Sequence, residues 1–83
     1  MNENENKIYI LHARSGKKNT WFFYDGVTCL KASSQKIVQR EWLKRYGVKG
    51  RFVRWGGVAR ISEAAATLAD YPDMKIEDVS RKV

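Results

Sequence analysis

Cysteine, histidine and proline occur once each in this chain of 83 residues, as Cys29, His12 and Pro72. A lone cysteine closes no internal disulfide, so the fold stands without oxidation. A lone histidine excludes His–His metal sites and two-histidine ribonuclease chemistry. His12 alternates with Ile8 and Ile10 and reads as a packed or strand-end side chain. Cys29 sits inside an apolar stretch and reads as a small core residue rather than a nucleophile. No apolar run reaches the ~18 residues of a membrane span, and the opening MNENENK lacks the apolar segment of a signal peptide. The phosphate-loop spacing G-x-x-x-x-G-K-[ST] is missing, and no carboxylates are paired as in a Mg²⁺ nuclease. The expectation is a cytoplasmic, noncatalytic protein with no cofactor, no metal and no membrane partner. A ribonuclease built on Arg, Lys and Tyr needs no such signature and is a catalytic class these absences leave open.

Acidic residues are also scarce where basic ones are dense. Residues 7–60 hold thirteen Lys and Arg against Asp25 and Glu41 alone, a net of +11, although the whole chain is only +7. Both flanking segments, residues 1–6 and 61–83, are net acidic. A basic block of this kind points to polyanionic partners rather than to any particular fold.

The length allows one domain. Residues 1–6 read as a disordered tail and 7–83 as a single α+β domain. Its core draws on Trp21, Trp42 and Trp55. KIYILHAR (7–14) is apolar on both faces, which suits a central strand. TWFFYD (20–25) and VTCLKA (27–32), separated by Asp25-Gly26, complete a β-meander. Ser33 or Ser34 caps a helix that runs to Gly47. Its apolar arc is Val38, Trp42, Leu43 and Tyr46, with Ile37 off that arc and Glu41 able to pair with Arg45. RFVRWGGVARIS (51–62) matches a Gly-Gly hairpin that pairs Trp55 with Val58. In that hairpin Arg51 and Arg60 project with Trp55, Arg54 projects with Phe52, and one of the two aromatics is buried. Ser62 caps a helix over EAAATLADY that Pro72 ends. Ile76, Val79 and Val83 keep the spacing of a last short helix. The expected architecture is thus an antiparallel sheet, made of the meander plus the hairpin, packed on one main helix with short helices at the C-terminus.

The candidate site residues follow from charge and spacing. Lys36, Arg40 and Lys44 recur every four residues and form one basic ridge on the helix, where mutual repulsion is relieved by a polyanion. Lys17 and Lys18 lie in the basic turn RSGKKN. Arg51, Arg54, Trp55 and Arg60 place arginine beside an aromatic, the pairing used for phosphate contact with base stacking. The leading expectation is a small basic module that binds DNA or RNA mainly through phosphates. The alternative is a phage or mobile-element interaction protein that inhibits a host nucleoprotein or defence complex (anti-CRISPR-like) by docking its charged surface, with self-association left open by the acidic C-terminal segment.

Overall fold

The computed structural model describes residues 7–47 and 50–80. The expected N-terminal tail lies outside the described residues. Three strands open the fold: β1 (Lys7–Ser15), β2 (Lys18–Tyr24) and β3 (Thr28–Ala32). They form the expected antiparallel meander, with Leu11 opposite Phe22 and Phe23 opposite Leu30. The second turn is built by Asp25, whose Oδ1 accepts the backbone N–H groups of Val27 (2.9 Å) and Thr28 (2.8 Å). This is the side-chain mimicry of a backbone turn that makes Asp-Gly a reversal signal.

Helix α1 (Gln35–Tyr46) follows, with Ser34 at its N-cap, and the Gly47 N–H closes its last turn on Leu43 O at 2.9 Å. It packs across β2 and β3 and buries Val38 and Trp42. Ile37, expected off the apolar arc, also packs against the core, while Tyr46 stays 37% exposed. The Arg45 guanidinium donates to both Glu77 carboxylate oxygens (2.7 and 2.8 Å) and to Glu41 at 2.7 Å. The bidentate pair with Glu77 is the leading reason its charge is held more firmly than usual, and Glu41 adds to it.

The segment expected as a hairpin folds differently. β4 (Arg51–Arg54) and β5 (Ala59–Arg60) do not pair with each other; both run parallel to β1, Ile8 beside Phe52 and Arg14 beside Arg60. Residues 55–58 span the distance that Leu11 and His12 alone cover on β1, so the double glycine marks a bulge in one edge strand. A tight Gly-Gly reversal needs positive φ at both glycines, and only Gly57 has it (φ 73°). Running straight through also pairs the edge of β1 at Lys7–Ile10 and Ala13–Arg14, with Trp55 N–H donating to Ile10 O at 3.0 Å.

Helix α2 (Ile61–Leu68) starts one residue before the expected Ser62 cap. Glu63 supplies the capping contact, accepting the Arg60 backbone N–H at 2.8 Å. The expected last helix is instead a strand, β6 (Lys75–Asp78), parallel to β3. The open edge of β3 captures it, with Lys75 N–H to Val27 O (3.1 Å) and Val79 N–H to Lys31 O (2.8 Å). Tertiary pairing here overrides the helical spacing of Ile76 and Val79.

The sheet order is β4-β1-β2-β3-β6, with β5 continuing beside β1. The sheet is therefore mixed rather than antiparallel, and only β2 opposes the other strands. Helix α1 covers one face over Ile8, Ile10, Phe23 and Leu30; α2 covers the other over Leu11, Ala13 and Phe22. The crossovers β3–α1–β4 and β5–α2–β6 travel in opposite directions on opposite faces, so they share one hand.

Phe23 is fully buried, with ring centres 6.4 Å from Trp42 and 5.6 Å from Phe52. Phe23→Ala is expected to cost about 3–5 kcal/mol in urea denaturation, whereas Val27→Ala, at a position 73% exposed, changes stability by less than about 0.5 kcal/mol.

Candidate functional site

Five strands point one way, and their carboxyl ends gather the loops and both helix starts at one end of the sheet. In sheets with parallel strands this end is where ligands are usually met. Five of the residues singled out by sequence reach it. Lys17 and Lys18 form the β1–β2 turn, Lys36 opens α1, and Arg60 lies between β5 and α2. Arg54 leaves β4 and reaches the start of α1, where its Nη2 donates to Gln35 Oε1 at 2.9 Å. Arg14 joins them as the register partner of Arg60. It belongs to the basic turn but was not singled out, because only the pairing of β5 with β1 brings it beside another arginine.

The remaining residues are dispersed. Arg40 lies in the middle of α1 and shares with Lys36, Gln35 and Gln39 a shallow groove along the helix. Lys44 is in the last turn of α1, and Arg51 sits beside Lys7 at the start of β1, both at the far end of the sheet. The ridge Lys36–Arg40–Lys44 therefore runs away from the cluster rather than within it.

Trp55 is 43% exposed and occupies the α2 side of the sheet, its Nε1 donating to Tyr24 Oη at 3.0 Å and its ring 6.5 Å from Tyr9. Phe52 is the more deeply packed of the two aromatics and shares its face with Arg54, as expected. Arg60 does not project with Trp55. In a strand that runs straight through, positions 55 and 60 fall on opposite faces, and only a reversal would bring them together. Ala59 packs in the α2-side core, which turns Arg60 to the other side.

An aromatic pair that sequence reasoning passed over stands on that other side. His12 and Trp21 are cross-strand partners with rings 3.9 Å apart and nearly parallel (6°). His12 Nε2 donates to Asn19 Oδ1 at 2.8 Å, which fixes the imidazole upright. The Arg54 guanidinium carbon lies 5.9 Å from the Trp21 ring centre, a cation–π distance. A recess of about 220 Å³ opens between this stack and the bulge, lined by Ile10, His12, Trp21, Arg54, Trp55, Gly57 and Val58. The signal was in the alternation of His12 with Ile8 and Ile10, but register alone decides that its neighbour is an indole.

Two further groups have their chemistry set by burial. The Cys29 thiol is fully buried, and desolvation pushes it up to about 12, with Lys31 pulling the other way. Tyr24 is raised by burial against the opposing hydrogen bond from Trp55. Among the described residues no three His, Cys, Asp or Glu side chains converge as metal ligands, and no helix is long and apolar enough to cross a membrane. Comparison with known protein families, curated proteins and solved structures finds no match.

Cys29 is expected to resist thiol reagents in the native protein at neutral pH and to react only on unfolding. Because its thiol is raised from 9.0 to about 12, its contribution to stability is complete below pH 9 and is lost as pH rises through 12. Urea midpoints between those limits should fall, and Cys29→Ala should fall less steeply.

Proposed function

We propose that this protein is a noncatalytic module that binds nucleic acid, chiefly through phosphate contacts, at the carboxyl end of its parallel strands. The observation that carries this reading is the gathering of Arg14, Lys17, Lys18, Lys36, Arg54 and Arg60 at this end of the sheet, with Arg14, Arg54 and Arg60 on the face that holds the His12–Trp21 stack. Two carboxylates hydrogen-bond the backbone nearby: Glu63 accepts Arg60 N–H at 2.8 Å and Asp78 accepts Ser80 N–H at 2.9 Å. Cations in such a cluster repel one another in the free protein, and a phosphate backbone relieves that repulsion while releasing its own counterions. Lysines supply adaptable point contacts, and arginines supply forked ones that also stack on bases. The groove along α1 continues the basic surface through the Gln35–Arg54 hydrogen bond.

A second reading, docking on a protein partner such as a host nucleoprotein complex, is favoured by a different surface. Between α2 and β6 an apolar groove of about 480 Å³ leaves Ile61, Tyr71 and Ile76 between 36% and 49% exposed.

Affinity for short oligonucleotides is expected to fall steeply with salt. With all six cations engaged, the slope of log K against log salt is about −4 for a single strand and about −5 for a duplex. Joint Lys17→Glu, Lys18→Glu and Lys36→Glu should weaken binding at least roughly tenfold, while Lys7→Glu with Lys44→Glu at the far end should change it by less than about threefold. Salt-independent binding, or equal losses from the two sets, would overturn the reading.

A further inference from the structure

We propose that the recess beside His12 seats one unpaired nucleobase, so that the ligand is a single-stranded nucleic acid. This deepens the nucleic-acid reading above and rests on it. Trp21 stacks on the imidazole from the β2 side, which leaves the opposite imidazole face toward the edge strand. There the chain makes its bulge, and a Cβ placed on Gly56 or Gly57 would meet nothing within 4 Å. Of the bulge residues, Trp55, Gly57 and Val58 line the recess. A planar ring entering it meets His12 already aligned with Trp21, a platform whose orientation Asn19 has fixed.

The rim matches the rest of a nucleotide. Arg54 borders the recess on one side, and the paired Arg14 and Arg60 follow two residues further along β1. A base in the recess therefore has cations on both sides, where its flanking phosphates would run. Bases of a duplex have both faces occupied by their neighbours, and entry would require flipping one out at a cost of a few kcal/mol. An unpaired strand presents its bases freely, and stacking of this kind tolerates any base identity.

The test compares four probes by fluorescence anisotropy at low salt: oligothymidylate, oligouridylate, an abasic strand and a duplex of equal length. At least one of the strands carrying bases is expected to bind roughly tenfold tighter than the abasic strand, the size one stacked base supplies, and tighter than the duplex. The thymidylate and uridylate arms distinguish DNA from RNA as the source of that base. His12→Leu keeps an apolar side chain against Trp21 and is expected to abolish the gap between strands with and without bases. A second readout needs no variant. His12 is the sole histidine, so its ring protons are assigned at once by NMR and should move upfield with the base-carrying strand but not with the abasic one. Equal affinity for strands with and without bases, or His12 ring protons that stay in place, overturns the base recess and leaves the phosphate reading intact. Failure of every probe to bind at low salt overturns both.

Discussion

Burial of β1 on both faces and both edges is the constraint on which the rest of this structure depends. Its side chains are apolar in both directions, Ile8 and Ile10 one way and Leu11 and Ala13 the other, and each set sits in a different core. A strand of this kind has to be covered twice and paired twice. An 83-residue chain meets that demand with one helix per face, neither of them wide enough to cover the whole sheet. Helix α1 lies over β2 and β3, whereas α2 lies over β1 and β5. Each face keeps an uncovered region: the His12–Trp21 stack on one, and the Ile61–Tyr71–Ile76 groove on the other.

The same constraint explains the bulged edge. The second edge of β1 is left open by the meander, and residues 51–60 pair with it in parallel on either side of the bulge. Sequence length does not match exposed edge length, because two residues are surplus between Arg54 and Ala59. The surplus is absorbed as a bulge where Gly56 and Gly57 stand. Packing thereby creates the recess, and the feature that interrupts the strand is also the one that exposes an imidazole face. Charge follows the same geometry: Arg14 and Arg60, forty-six positions apart in sequence, become neighbours only through the parallel pairing.

Much of the core and part of the site could be read along the chain. The meander, the span of α1, its Ser34 and Gly47 limits and the Glu41–Arg45 pair are local, each set by residues within a few positions of one another. Lys17, Lys18, Lys36, Arg54 and Arg60 were recognisable from charge, and Trp55 as an aromatic beside arginine. The hairpin was not a careless expectation: a Gly-Gly pair between two apolar runs has the local chemistry of a reversal. It lost to a non-local competitor, the unsatisfied edge of β1. The C-terminal segment went the same way, from helical spacing into β6, when the edge of β3 offered hydrogen bonds.

The sequence by itself determined the α+β class, the two-sided apolar character of β1, the concentration of positive charge in residues 7–60, and the lack of a disulfide or a histidine pair. These are properties of composition and short-range spacing, and no tertiary contact can alter them. Only the tertiary structure decided that the sheet is mixed, that residues 51–60 run straight on, and that His12 meets Trp21 beside an open bulge. Those outcomes depend on which strand edges are left unpaired once the meander has formed, and unsatisfied backbone groups compete across the whole chain rather than within a local window.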